Sequence, residues 1–397
     1  MAGRPLEGVT VVDLTSVVLG PLATRTLAEM GARVIKVEAP EGDVLRHVGP
    51  ARSPGMGAVF LNTNRGKESL VLDLTKPAAR EALDALVARA DVFVHSLRPQ
   101  AAAKLGLEPA RLLGINPRLV HCSAWGFRSD GPYATKPAYD DVIQAISGVA
   151  DLAVRTGDEA PRYAPTILAD KTAALALVGA VGAALFQRER TGRGVAVEVA
   201  MFETLSAYVL VEHLAGAVFE PPLGPMGYAR ILTPHRRPYA TADGHVTVMP
   251  YNTRQWQRFF EVMDRDDLVH DPRVTDAAER SRRIAELYGL VADCVAPFTI
   301  VEVLARMERA DVPAMRVHTL ESLLDDPHHR ATGFFELYEH PSEGRLRGTR
   351  PAIRFDGARV PSLPGAPRLG EHGRLILEEL GLDPDQLAAE RATRFDR

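Results

Sequence analysis

Short runs of consecutive apolar residues alternate along the first half of the chain with stretches in which apolar positions recur every three or four residues. VTVVDL reads as a buried strand, Pro21 to Met30 as a helix stopped by Gly31, and RVIKVE as a second strand. ESLVLDL, DVFVHSL and LVHCSAWGF are strand-like in the same way. Between the first two of these, KPAAREALDALVARA places apolar Ala79, Leu83, Leu86, Val87 and Ala90 at helical spacing. Strands alternating with helices predict a mostly parallel sheet covered on both faces. In the run RYAPTILADKTAALALVGAVGAALF, Asp170 stands directly after a short strand-like segment and directly before a long, nearly uninterrupted apolar helix. The turn TGRG, the strand VAVEV and a helix from near Met201 follow.

The pattern changes between Gly216 and Pro238, where Pro and Gly concentrate and the helical period disappears, marking a domain boundary. Beyond it, YATADGHVTVMP predicts a hairpin turning at Asp243-Gly244, and Trp256, Phe259, Phe260 and Met263 form one apolar helix face. Thr299 with Glu302 three residues on predicts a capping box. EHPSEGRLRGTRPAIRF reads as a returning hairpin, and a Pro-rich crossing and one helix close the chain. The expected fold is α/β: a Rossmann-like large domain with a parallel sheet over residues 1–215 and 331–397, a linker at 216–225, and a smaller α+β domain over 226–330.

With 397 residues, two domains are expected, since one domain usually takes about 100 to 200. A formal net charge of -4 leaves no basic footprint for nucleic acid. Two cysteines, Cys122 and Cys294, are too few for a disulfide framework and suit a reducing, cytoplasmic setting. The opening MAGRPLEGVTVVDL has no apolar signal core, and the longest apolar run, Ala173 to Phe186, falls short of the roughly 20 residues that span a bilayer; no membrane role is expected.

Several chemistries are excluded. Glu38 ends the second strand where a dinucleotide-binding fold holds ribose, but DLTSVVLGP offers Gly20 alone instead of a glycine-rich phosphate turn. No GxSxG elbow exists for a serine hydrolase. Cys122 lies within a strand and reads as a buried, inert thiol. His328 and His329 lack further ligands at metal-binding spacing, so no metal is expected. Two features remain beside Asp170. The long connection AWGFRSDGPYATKPAYDDVIQAISG is of the kind that builds sites in α/β proteins or is a plain surface loop. His235, Arg236 and Arg237 lie between two prolines, either as solvated charge or as a bidentate anion clamp. Asp170 itself suits a helix cap or a reactive carboxylate, because the helix start favours negative charge.

These segments, in this order, resemble the class III CoA-transferases, the CaiB/BaiF family that includes formyl-CoA and carnitine CoA-transferases. The likeness runs from GVTVVDLTSVVLGPLATRTLAEMGARVIKVEAPEGD through LNTNRGKESLVLDL, DVFVHSLRPQAAAKLGL, INPRLVHCSAWGF, GPYATKPAYDDVIQAISG, ADKTAAL and RERTGRGVAVEVAMFETL to APRLGEH. It implies that Asp170 is the nucleophile of a transfer of CoA from an acyl-CoA to a carboxylic acid acceptor, with CoA as substrate and no permanently bound cofactor. It implies CoA contacts at Val18, Leu72, Asp73, Leu74, Ser96 and Lys104, and Tyr139 and Asp140 beside the catalytic centre. Ala39 stands where formyl-CoA transferase has an arginine. The roles of Arg98, Arg65 and Lys67 toward the CoA phosphates stay open. It also implies an interlocked homodimer.

Related acyl-CoA racemases carry a histidine where this chain has Tyr139. A tyrosine is a poor base at neutral pH, so transfer is favoured over α-proton exchange. A non-catalytic CoA-binding relative is the other alternative. The glycine-run loop of formyl-CoA transferase has no counterpart between Phe219 and Thr247, where PHRRPY stands instead. Arg236 or Arg237 is therefore expected to read a second carboxylate on a larger acid. On that expectation Arg236→Met and Arg237→Met impair transfer to dicarboxylic acceptors more than to monocarboxylic ones in steady-state kinetics; equal losses for both classes contradict it.

Overall fold

The computed structural model describes residues 4–357 and 361–385; the parts of the expected C-terminal span at 358–360 and 386–397 lie outside the described residues. The chain divides into two compact units. One comprises 1–147, 163–208 and 328–397, the other 148–162 and 209–327. The Pro- and Gly-rich stretch at 216–238 falls inside the second unit, which also takes up 148–162.

The first unit is built on six parallel strands: β1 (Thr10–Leu14), β2 (Arg33–Glu38), β3 (Lys67–Val71), β4 (Val92–His95), β5 (Val120–Trp125) and β6 (Val195–Ala200). Their order is β3-β2-β1-β4-β5-β6, a doubly wound sheet whose direction of winding reverses between β1 and β4. Strands β4 and β5 are buried almost throughout, which is why they read as unbroken apolar runs. On one face, helix Pro77–Arg89 buries Ala79, Ala82, Leu83, Leu86 and Val87. Helix Gly373–Leu380 packs against it and adds Ile376 and Leu377 to the same core.

The opposite layer pairs helix Leu19–Glu29 with helix Ala169–Thr191, which also contacts β5 and β6. Ala169–Thr191 is long and apolar enough to cross a membrane by length and composition. Its Ala173, Ala174, Leu177, Val181 and Ala184 are buried in this layer, while Leu175 and Phe186 on its other side are exposed. The helix ends at Gly192, whose φ of 74° supplies the left-handed cap and whose N–H bonds back to Arg188 O at 2.8 Å. The residues before Asp170 form no strand; 161–168 are irregular.

Charge is buried on the sheet in matched sets. Lys67 Nζ donates to Asp13 Oδ2 at 3.0 Å, to Pro21 O and to Asn64 Oδ1, and Arg46 forks onto both oxygens of Glu38. Although burial opposes it, Lys67, Lys36 and two threonine hydroxyls hold Asp13 well below the usual carboxylate range. Arg65 is equally enclosed, paired with Glu336 at 2.7 Å. Glu336 belongs to the antiparallel hairpin whose strands run Phe335–His340 and Gly344–Thr349.

In the second unit, strands Tyr239–Thr241, Gly244–Val248 and Ala314–Arg316 form an antiparallel sheet. Trp256, Phe259, Phe260 and Met263 are buried together with Leu287, Val291 and Met307, as the apolar helix face predicts. The Thr299–Glu302 capping box is formed.

Candidate active site

Open parallel sheets leave a crevice at the carboxyl ends of their strands where the winding reverses. Here two cavities occupy that edge. The first, about 390 Å³, lies over the ends of β1, β2 and β3 and is lined by Ala39, Pro40, Leu72, Asp73, Leu74 and Leu105, among others. The second, about 330 Å³, lies over β1, β4 and β5 and contains Asp170 and Tyr139. Ser16 and Leu97 line both, so the cavities adjoin at the reversal.

The turn after β1 is fixed by side chains instead of glycines. Lys36 Nζ donates to Thr15 O at 2.7 Å, Ser16 N–H to Ser96 Oγ at 3.3 Å, and Val17 N–H to Asp43 Oδ1 at 3.2 Å. They hold Val17 at φ 69°, a left-handed conformation that costs a β-branched residue on the order of 1–3 kcal/mol. The lone Gly20 is required by a close approach: a Cβ there would stand 2.2 Å from Thr15 Cβ.

The connection after β5 is tied down at several points. Trp125 Nε1 and Ser129 Oγ both donate to Glu198 at 2.8 Å, and Arg98 donates to Thr135 O at 3.3 Å. Gly126 passes so near Ala138 that a Cβ would lie 2.3 Å from Ala138 Cβ. The segment thus brings Lys136, Pro137, Ala138 and Tyr139 into the lining of the Asp170 cavity.

Asp170 stands in the first turn of its helix, but the cap position is Leu168 and no side chain caps it from there. The Asp170 N–H is instead satisfied by Asp140 Oδ1 at 3.1 Å, from the first turn of helix Asp140–Ile146. The second Asp140 oxygen accepts from Gln144 Nε2 at 2.6 Å. Asp170's own carboxylate is thereby left for the cavity. Burial, and then the neighbouring Asp140 charge, raise its pKa from 3.8 to about 6. Such a group is still ionised at neutral pH, yet more basic than an ordinary aspartate, and losing its charge relieves the repulsion.

Of the expected site residues, Leu72, Asp73 and Leu74 line the first cavity, and Ser96, Tyr139 and Asp170 the second. Val18 is the buried cap residue between Val17 and Leu19, both of which face the Asp170 cavity. Asp140 stands directly behind Asp170. Lys104 is exposed at the end of helix Pro99–Lys104, one residue before Leu105 of the first cavity. Ala39 lines that cavity, and no Lys, Arg or His does. Arg236 and Arg237 belong to the second unit and are exposed.

Of the basic residues left open, Arg65 and Lys67 are engaged in the buried ion pairs described above, whereas Arg98 lines the Asp170 cavity. Glu38 lies at the first cavity, with its carboxylate engaged by Arg46 and Ser69. Cys122 is fully buried, and burial pushes its thiol up to about 12. Gln144 and Lys136 belong to no motif in the sequence that singles them out. Asp140 and Gln144 are four apart on one helix, a spacing that favours such a hydrogen bond and is the signal available in the sequence.

The architecture is that of the doubly wound α/β proteins, with Asp170 in a cavity at the switch point of the sheet. Residues 6–373 match the model of CoA-transferase family III, and the chain belongs to that family. It is 32% identical over 387 residues to a probable fatty acyl-CoA transferase, Rv3272, of Mycobacterium tuberculosis, spanning 94% of this chain and 98% of that protein. It is 31% identical to the succinate–glutarate CoA-transferase of Agrobacterium fabrum, spanning 95% and 96%. A crystal structure of a CaiB/BaiF family protein from Brucella suis superposes with a TM-score of 0.80 at 31% identity, covering 96% of this chain and all of that one. The fold resemblance is therefore confirmed, and the protein is an enzyme of the CoA-transferase type.

The raised Asp170 pKa has a signed consequence for stability. Ionising a carboxyl that the fold prefers protonated costs stability, so the loss develops as pH rises from about 4 through about 6. Asp170→Asn escapes it and is expected to be more stable than wild type by roughly 1–3 kcal/mol at about pH 8, with the difference gone near pH 4. Urea denaturation of both proteins across that range checks this, and a pH-independent difference contradicts it.

Proposed function

We propose that this enzyme moves CoA from an acyl-CoA thioester to a carboxylic acid acceptor through covalent intermediates on Asp170. The observation that carries the reading is the carboxylate itself: it starts a helix it does not cap, faces a cavity at the switch point, and is made more basic by burial and by Asp140.

In this sequence an Asp170 oxygen attacks the thioester carbonyl, the C–S bond breaks, CoA thiolate leaves, and an acyl-aspartyl anhydride forms. The thiolate then attacks the Asp170 carbonyl, expelling the donor as a free carboxylate and leaving an aspartyl-CoA thioester. The acceptor carboxylate attacks that thioester, releasing thiolate and forming a second anhydride. Thiolate attack on the acceptor's carbonyl yields the new acyl-CoA and regenerates Asp170. In each step an acyl group passes between oxygen and sulfur nucleophiles, and no net proton is gained or lost.

The first cavity suits the neutral adenine ring of CoA, since its lining is largely apolar; with carboxylates and no cation in that lining, the CoA phosphates belong outside it. The thioester would then lie over β4 and β5, where Arg98 and Lys136 supply positive charge near the reacting oxygens. Tyr139 is 70% exposed at the same rim and shields the site only when something covers it. Both anhydrides hydrolyse in water, so closure over this edge belongs to the proposal.

The exposed side of helix Ala169–Thr191 supports a homodimer, interlocked as the family resemblance implies. Leu175 is 72% and Phe186 64% exposed, with Gly179 and Gly182 between them on an apolar face. Sedimentation equilibrium is expected to give a dimer, converted to monomer or aggregate by Leu175→Glu with Phe186→Lys; a wild-type monomer contradicts it.

The covalent reading is tested by incubating wild type and Asp170→Asn with succinyl-CoA and longer acyl-CoAs, quenching with hydroxylamine or borohydride, and mapping the product by mass spectrometry. An adduct at Asp170 in the wild type, with transfer in the variant reduced by at least about three orders of magnitude, is the expected result. Deuterium wash-in at the α-carbon of a branched acyl-CoA without any adduct would instead identify a racemase, and CoA binding unaccompanied by either reaction a non-catalytic binder.

A further inference from the structure

Gln144 is 1% exposed, and its amide is used on both sides. Nε2 donates to Asp140 Oδ2 at 2.6 Å and to Thr166 O at 3.3 Å, while Oε1 accepts from Ala164 N–H at 2.9 Å. The Ala164–Thr166 segment is the irregular approach to the Asp170 helix. It is tied again at its far side, where Lys171 Nζ donates to Thr166 Oγ1. One buried side chain therefore joins three things: the carboxylate that satisfies the Asp170 N–H, the loop that delivers Asp170, and helix Asp140–Ile146, which packs against the Asp170 helix.

The chemistry of these partners dictates the residue type. Asp140 and the Thr166 carbonyl need donors and the Ala164 N–H needs an acceptor, which a primary amide at this reach supplies. Glutamate keeps the acceptor and loses both donors. Methionine keeps the volume and loses all three bonds. Nothing in the proposed transfer assigns Gln144 contact with substrate, and it does not line the cavity.

We propose that Gln144 is a positioning residue for the reaction: it fixes the Asp140 carboxylate against the first turn of the Asp170 helix and pins the loop before it, so that the nucleophile's placement and the negative charge behind it are set by one amide. The inference rests on the reading of Asp170 as nucleophile.

The other charged or titratable groups around the pair are Arg98, Lys136 and Tyr139 in the cavity lining, Asp141 beside Asp140, and Lys171 on the Asp170 helix. All are left in place by changes at Gln144. With Gln144→Met, Asp140 is no longer held toward Asp170, and the Asp170 titration midpoint should fall from about 6 by about one pH unit. With Gln144→Glu, a second carboxylate stands behind Asp140, and the midpoint should rise. A residue that only stabilises the loop would not give shifts of opposite sign.

The midpoint is read without turnover, from the pH dependence of the stability difference between each protein and its Asp170→Asn counterpart by urea denaturation. In parallel, the rate of adduct formation at Asp170 from succinyl-CoA and longer acyl-CoAs should fall roughly 10–100-fold in Gln144→Met, with CoA affinity within about twofold of wild type. Should Gln144→Met fail to fold, Gln144→Glu, which keeps the Ala164 bond, decides by its adduct rate: a fall of roughly tenfold or more with CoA affinity retained supports the positioning role, and an unchanged rate overturns it. Unchanged midpoints and unchanged adduct rates in the variants, with a normal wild-type adduct, overturn this inference and leave the covalent reading standing. Absence of any wild-type adduct with every donor overturns the covalent reading and this inference with it.

Discussion

The first turn of a helix presents backbone N–H groups that need acceptors, and most helices meet the need with a side chain at the cap. In this protein the acceptor for Asp170 N–H comes from Asp140, thirty residues earlier in the chain. That one hydrogen bond separates two duties a single aspartate would otherwise combine. Asp140 stabilises the helix start, and Asp170 is left with an uncommitted carboxylate at the cavity wall. It also sets two negative groups side by side in a partly buried place. Ionised Asp170 is the least comfortable state of the pair, and each covalent intermediate of the proposed cycle neutralises it.

The surrounding scaffold makes such a placement sustainable. Removing a charge from water costs several kcal/mol unless it is paired, and the sheet meets that cost at Asp13, Lys36, Glu38, Arg46 and Lys67 with near-complete hydrogen bonding. Lys36 and its buried ion-pair partner Asp43 also hold the turn after β1, where Val17 takes up a left-handed backbone conformation. Phosphate-binding turns in related architectures reach comparable geometry with glycine. Here the conformation is imposed by neighbours, and the apolar Val17 side chain becomes part of the wall beside Asp170.

Elements whose signal is local were legible from residues alone. The parallel strands, the helix over Pro77–Arg89, the hairpin at Asp243-Gly244, the apolar face of Trp256, Phe259 and Phe260 and the Thr299 capping box all rest on periodicity or on contacts a few residues apart. Asp170 was legible as a choice between cap and reactive group, and what resolves the choice is long-range: the cap is Leu168, and the acceptor is Asp140. The segment before Asp170 carries β-branched residues and reads as a strand, but Gln144 and Lys171 claim its polar groups and leave it irregular. The roles of Arg65 and Lys67 stay open in the sequence because their partners, Glu336 and Asp13, lie 271 and 54 residues away. Helix Ala169–Thr191 shows almost no amphipathic pattern, so its buried and exposed faces emerge only once the sheet is in place.

The central claim, that Asp170 exchanges an oxygen with the acids it serves, is tested most directly by isotope transfer. In a single turnover with an acceptor acid bearing heavy oxygen in its carboxylate, attack on aspartyl-CoA and cleavage of the second anhydride should leave one labelled oxygen in the Asp170 side chain. Peptide mass analysis is expected to find that label at Asp170 and at no other residue. Complete transfer of CoA with no heavy oxygen in the protein would contradict the account.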